Sequence, residues 1–289
     1  MSDVLVVIVT YNAMRWVERC LDSVRVSSVK ADVMVIDNGS SDGTLECLKS
    51  DYPEVELLEN QSNLGFGAAN NIGLRRAVEQ GYRYVYLLNQ DAWLEKHTLR
   101  MLIAASRPEY GILSPVQKDA GGKLDRNFAR KCGKQLKVVS QVAADERLVV
   151  TVPFVMAAHW LMSVDALKKV GAFSPAFRQY GEDDNYIDRL HYHGLKCGVV
   201  PAASAVHDRA ERKLPREKRM RLKCVGAVVR MSNPANSYLL SLALRPLELV
   251  GMCVRNFSLV PFKFITELMG RRKELRLYRK ESKKKGAFL

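Results

Sequence analysis

Residues 4–9, Val-Leu-Val-Val-Ile-Val, are an unbroken apolar run, mostly β-branched, with no polar face. A strand of that kind has to be covered on both sides, which is the situation of a central strand in a parallel sheet. The chain beyond this run has the matching rhythm. Helical spacing over about 14–26 gives an apolar stripe of Trp16, Val17, Cys20, Leu21 and Val24. Strand-like segments at 33–36, 55–59 and 84–88 then alternate with helical segments at about 42–51 and 66–79. Ser40, Ser41 and Asp42 are candidate N-caps for the first of these helices. The alternation predicts β-α-β units, hence an α/β fold with a mostly parallel sheet flanked by helices.

Ligands of such sheets bind beyond the carboxyl ends of the strands. The residues found there are Thr10-Tyr11-Asn12, Asp37-Asn38-Gly39 and Asn89-Gln90-Asp91. Asp37-Asn38-Gly39 alone also reads as a turn and helix cap. Three polar clusters at three strand ends, each costly to bury without partners, predict convergence on one cleft. Residues 109–147 are weakly patterned and read as variable connections with a hairpin. Beyond them come an apolar stretch over 151–164, a helix near 165–170 and a short strand at 199–200. Glu182, Asp183 and Asp184 open another helix. Acidic residues there complement the helix dipole, but three in a row exceed what capping requires. Like charges this close raise one another's pKa, which suits a general base working near neutral pH.

The net charge of +14 is unevenly placed. Residues 1–206 hold 24 basic and 24 acidic side chains, and residues 207–289 hold 21 and 7. The chain therefore reads as a catalytic unit, 1–230, charge-balanced through residue 206, followed by a basic, apolar helical region, 231–289. Within the latter, Leu and Phe recur between Arg and Lys, and Pro246 and Pro261 interrupt the pattern. No stretch of about 20 apolar residues is present, so the expectation is in-plane attachment to an anionic membrane surface. Packing on the catalytic unit or homo-oligomer formation is the alternative use of such helices. Nucleic acid is not expected, because phosphate-binding surfaces do not need rows of Leu and Phe. Six scattered cysteines with no Cys-x-x-Cys pair, and no basic stretch before the first apolar run, predict a cytoplasmic protein without a disulfide frame.

Five segments in order resemble the family 2 glycosyltransferases: Val-Thr-Tyr-Asn at 9–12, Val-Ile-Asp-Asn-Gly-Ser-Ser-Asp-Gly-Thr at 35–44, Asn-Leu-Gly-Phe-Gly-Ala-Ala-Asn-Asn-Ile-Gly at 63–73, Leu-Leu-Asn-Gln-Asp at 87–91 and Tyr-Gly-Glu-Asp-Asp at 180–184. The subgroup they are most similar to is the bacterial rhamnosyltransferase-like and galactofuranosyltransferase-like enzymes of surface polysaccharide assembly. That resemblance implies a GT-A fold and inverting transfer of a sugar from a nucleotide-diphosphate donor, dTDP-rhamnose or a UDP-sugar, to a glycan or lipid-linked acceptor. It places Thr10, Tyr11, Asn12, Asp37 and Asn38 around the nucleotide and Gly65, Gly67 and Asn70 in the loop that closes on it. The Asp-x-Asp motif falls on Asn89, Gln90 and Asp91. Asp91, with His207, would bind Mg²⁺ or Mn²⁺ on the diphosphate, although a surface histidine is the plainer reading of His207. Asp183 would be the general base, with Glu182 beside it. His159, Trp160 and Asp184 fall where the family lines its acceptor pocket, although core packing suits Trp160 equally. Asn89 departs from the family by replacing the first acid of the motif. That substitution is the one feature favouring a non-catalytic nucleotide-sugar-binding or scaffold protein of the same fold. The implied location is the inner face of the cytoplasmic membrane.

Overall fold

The computed structural model describes residues 2–132, 145–209 and 215–289. Its first half is a parallel block of β1 (Val4–Thr10), β2 (Asp32–Asp37), β3 (Glu56–Glu59) and β4 (Tyr84–Asn89), in the order β3-β2-β1-β4. The connecting helices are α1 (Val17–Arg25), α2 (Thr44–Asp51) and α3 (Phe66–Glu79). Alternate side chains of β1 feed two separate cores. Leu5 and Val7 join one cluster and Val4, Val6 and Ile8 the other, so the run at 4–9 is covered on both faces as its composition requires.

Next come β5 (Ala92–Leu94), α4 (Thr98–Ala104), β6 (Tyr110–Lys118), α5 (Arg126–Cys132), β7 (Val150–Val152), β8 (His159–Ser163), α6 (Val164–Val170), α7 (Glu182–Tyr192) and β9 (Lys196–His207). The nine-stranded sheet has the order β3-β2-β1-β4-β8-β6-β9-β5, with β7 also paired to β9. Strand β8 is antiparallel to both neighbours, so the sheet changes direction immediately beside β4. The strand expected at 199–200 is much longer. Pro201 disguises it, because the β6–β9 register shifts between Pro115 and Val116 and leaves residues 201–203 out of the ladder. The weakly patterned middle contains β6, a tight turn closed by Asp119 N–H donating to Lys123 O at 2.7 Å, and α5. The rest of it, 133–144, lies outside the described residues.

Four more helices complete the chain, α8 (Arg216–Ser232), α9 (Tyr238–Asn256), α10 (Val260–Gly270) and α11 (Arg272–Glu281). They share a third apolar cluster, which includes Cys224, Val228, Leu249, Phe264, Leu268 and Leu275 and also takes in Ala176 and Phe177 from the loop before α7. Among the described residues, no helix is long and apolar enough to cross a membrane. All six cysteines are free thiols, and five are buried. Segment 282–289 returns to the sheet-bearing part of the chain, where Ala172 N–H donates to Ala287 O at 2.8 Å and His193 Nε2–H donates to Ser282 O at 3.1 Å.

Candidate functional site

The parallel block brings the strand ends together. Asp37, fully buried at the end of β2, accepts four hydrogen bonds: from Thr10 Oγ1 (2.7 Å) and Ser40 Oγ (2.5 Å) at Oδ1, and from the N–H groups of Gly39 (3.0 Å) and Ser40 (2.8 Å) at Oδ2. Thr10 and Asp37 are themselves register partners across β1 and β2. Asn38 accepts from Asn60 Nδ2 at 3.0 Å. Tyr11 is half exposed, and its backbone is held at both ends by one amide. Its N–H donates to Gln90 Oε1 (2.7 Å) and its carbonyl accepts from Gln90 Nε2 (3.3 Å). Asn12, with φ of 51°, accepts from Ser41 N–H at 2.9 Å. These residues form a rim whose polar groups hold one another in place.

The Gly-rich loop is fixed from the opposite side. Gly65 has φ of +85°, and a Cβ there would lie 2.0 Å from the carbonyl oxygen of Arg178, so no other residue fits. Gly67 lies under Phe173, where a Cβ would sit 3.1 Å from Phe173 Cβ and 3.7 Å from Glu182 Cβ. The loop therefore approaches the carboxylate helix directly. Asn70 is buried and turned inward, donating from Nδ2 to Phe66 O at 2.9 Å. Its neighbour Asn71, inside the same motif, is a structural contributor to which the motif assigns no role. It holds Phe173 with two bonds, Nδ2 to the carbonyl (2.9 Å) and Oδ1 from the N–H (2.7 Å). A signal for it exists, since two adjacent asparagines inside a helix contradict its propensity.

Helix α7 begins at Gly181 in the left-handed region, packed so closely that a Cβ would meet Val225 Cγ1 at 2.7 Å. Burial first, then Asp183, pushes Glu182 up to about 7, and its Oε2 is buried with no hydrogen-bond partner among the described residues. Asp183 is raised to about 6, by desolvation first and then by Asp184. Asp184 is instead drawn into an ion pair with Lys131 at 3.0 Å. Three adjacent carboxylates thus have three environments, and Asp183 is the partly exposed one whose proton affinity has been raised. The other end of the helix is anchored by Arg189, fully buried, which donates to the carbonyls of Ala172, Val170 and Ala287, while Tyr186 Oη donates to Gly171 O at 2.9 Å.

Strand β5 pairs Ala92 with His207, which sets Asp91 beside the end of β9. His207 Nε2 lies 3.4 Å from Asp91 Oδ1. Asn89, two residues away, has a buried Oδ1 with no partner among the described residues. An imidazole nitrogen and a carboxylate 3.4 Å apart, with an orphaned amide oxygen two residues along the chain, are donor types that suit a divalent cation completing its shell from a diphosphate. The clustered three-ligand arrangement found among the described residues is elsewhere, at Glu18, Cys47 and Asp51, so diphosphate oxygens would have to complete any cation site at Asp91.

His159 and Trp160 are fully buried and present no surface to an acceptor in this conformation. His159 accepts from Tyr86 Oη at Nδ1 (2.9 Å) and donates from Nε2 to Val206 O (3.0 Å), which fixes the residue preceding His207. Burial, with the nearby His207, lowers its pKa to about 3, so the imidazole is neutral. Trp160 stacks on Phe173 with ring centroids 6.0 Å apart and touches Tyr186. Both side chains support the site from beneath.

The sequence matches the family model for glycosyl transferase family 2 over residues 5–171. It is 30% identical over 239 residues to the N-acetylglucosaminyl-diphospho-decaprenol L-rhamnosyltransferase of Mycobacterium tuberculosis, covering 73% of this chain and 78% of that protein. Among solved structures, the fold is similar to mannosyltransferase PcManGT from Pyrobaculum calidifontis in complex with GDP-Man and Mn²⁺, with a TM-score of 0.58 at 18% identity over 97% of this chain and 84% of that one. It is equally similar to S. aureus TarS 1-349 in complex with UDP-GlcNAc, with a TM-score of 0.58 at 16% identity over 84% and 70% of the two chains. The sheet flanked by helices is thus a GT-A fold, and the family match spans the strand ends and the glycine loop. With more than half of its length inside that match, the chain belongs to glycosyl transferase family 2 and is a glycosyltransferase.

Proposed function

We propose that the enzyme transfers a sugar, with inversion, from a nucleotide-diphosphate donor to a hydroxyl of a lipid-linked or glycan acceptor, with Asp183 as general base. The observation that carries this reading is the partly exposed Asp183, raised to about 6, beside the glycine loop that Glu182 approaches through Gly67. Thr10, Tyr11, Asn12, Asp37 and Asn38 receive the nucleoside, and Gly65, Gly67 and Asn70 bring backbone close to the donor. Asp183 takes the proton of the acceptor hydroxyl as that oxygen bonds to the anomeric carbon. The bond from that carbon to the diphosphate breaks on the opposite side, and Asp183 releases its proton to solvent. A single displacement of this kind inverts the anomeric centre. Asp91 and His207, with Asn89 near them, would hold Mg²⁺ or Mn²⁺, which when bound supplies positive charge to the departing diphosphate. The relative's printed name favours a rhamnosyl donor and a polyprenyl-diphosphate acceptor. Asp184, paired with Lys131, is assigned to the acceptor pocket on this reading.

Residues 1–230 are proposed as the catalytic unit and 231–289 as its membrane-facing region. Leu239, Leu247, Val254, Phe257, Leu259 and Phe262 are each more than half exposed on α9, α10 and their connecting turn. The acids on these helices are neutralised, Glu248 by Arg230 and Arg245 and Glu267 by Arg221, which leaves a surface suited to anionic lipid on the cytoplasmic side. A homo-oligomer through the same face is the competing use.

The test is calorimetric binding of UDP, dTDP and GDP, each with and without Mn²⁺, followed by transfer to a polyprenyl-diphosphate sugar. Selective binding of one nucleotide, and transfer lost in Asp183→Asn with that binding intact, supports the reading. Unchanged transfer by Asp183→Asn removes Asp183 from the role.

A further inference from the structure

Beside the donor loop lies a cavity of about 530 Å³, bounded by Gly65, the loop 176–180, one face of α8 and one face of α10. Its lining has an unusual charge pattern. Arg178, Lys218, Arg221 and Arg271 contribute four cations, and Glu267 is the single acid. Lys218 and Arg221 stand one turn apart at the start of α8, and Leu222, Val225 and Val228 continue the same face toward its end. Phe264 and Leu268 of α10 complete the apolar side. The groove therefore combines four cations with an apolar wall.

Two of the cations are already engaged. Arg221 forms a two-pronged pair with Glu267 across the groove (2.8 and 2.6 Å), and Arg271 bonds Glu274 and the carbonyl of Ala176. Arg178 and Lys218 have no ion pair among the described residues. The groove also adjoins both halves of the catalytic apparatus. Arg178 O abuts Gly65, and Val225 packs on Gly181, the residue that starts the helix carrying Asp183.

We infer that this groove holds the acceptor's lipid diphosphate, with Arg178 and Lys218 taking the phosphate oxygens and the Leu222–Val225–Val228 face taking the first isoprene units. The inference rests on the transferase reading and adds to it the place where the acceptor is gripped. It also gives Glu267 a function, since that carboxylate competes with the incoming diphosphate for Arg221.

The experiment uses the full chain, with the donor site blocked by saturating nucleoside diphosphate, and measures binding of farnesyl diphosphate and of inorganic diphosphate. Farnesyl diphosphate should bind more tightly than inorganic diphosphate. Arg178→Glu and Lys218→Glu should each weaken it about tenfold, the scale of one charge-assisted contact, and Lys218→Arg should retain it. Glu267→Gln should tighten it severalfold, a gain that a merely structural role for these side chains would not produce. Absence of farnesyl diphosphate binding to the folded protein, indifference to the charge reversals, or equal affinity for inorganic diphosphate each overturns the inference. Nucleoside diphosphate binding and sugar transfer are measured on the same samples. If they persist while the groove result fails, only the groove assignment falls; if they are absent too, the transferase reading falls with it.

Discussion

The rim of strand ends and the carboxylate helix are built on opposite terms. At the rim every named polar group has a protein partner, and Asp37 alone accepts four hydrogen bonds. On α7 the polar groups are left wanting: Glu182 Oε2 and both amide atoms of Asn185 are buried without partners among the described residues. A satisfied network fixes geometry in advance, which suits recognition of a ligand that arrives complete. An unsatisfied cluster holds raised pKa values at a cost in stability, which suits a group that must accept a proton. The same sheet thus carries a region that strengthens the fold and one that draws on it.

Substitutions in the two regions should therefore differ in sign as well as size. The largest effect is expected for Asp183→Asn, a loss of about 10³-fold in turnover with donor affinity unchanged. In the unsubstituted enzyme turnover should rise with pH through about 6, because the base works only when deprotonated; a flat profile in Asp183→Asn would tie that limb to this residue. Asp37→Ala orphans four donors and should cost about 3 kcal/mol in chemical denaturation.

Glu182→Gln should do the reverse. Its carboxyl is about 7 in the folded chain and near 4.5 otherwise, so folding favours the proton and stability declines as pH rises from 4.5 to 7. Removing that charge should raise stability by about 3 kcal/mol at pH 8 and by little at pH 4, read as melting temperature against pH. If Glu182→Gln destabilises at pH 8, the contrast between the regions fails. The smallest effect is expected for His207→Ala, about a tenfold rise in the Mn²⁺ concentration needed for half-maximal donor binding, with melting temperature nearly unchanged.

Much of this architecture is legible in the chain because it comes from local chemistry. The apolar run at 4–9 requires cover on both sides, and polar residues at successive strand ends must converge once the strands are parallel. The carboxylate triplet signals mutual charge repulsion, but the larger cause of the raised values on Glu182 and Asp183 is burial, which the sequence does not display. The illegible part depends on contacts distant in sequence. His159 and Trp160 carry no sign that β8 inserts antiparallel beside β4 and buries them. The length of β9 is hidden by Pro201, which is tolerated only because β6 shifts register against it. Asn71 and Arg189 act through carbonyls and N–H groups of residues 170–173, which no spacing rule connects to them.

Segment 282–289 has a consequence for the order in which this enzyme is made. Arg189, on the helix that carries the base, is a buried cation surrounded by carbonyls, and one of these belongs to Ala287, 98 residues later. During synthesis the parallel block can form once β4 has emerged, because all of its strand pairings lie within residues 4–89. The catalytic helix is seated fully only after residue 287 has left the ribosome. A nascent chain therefore has an assembled rim of strand ends before the helix bearing the proposed base is firmly held.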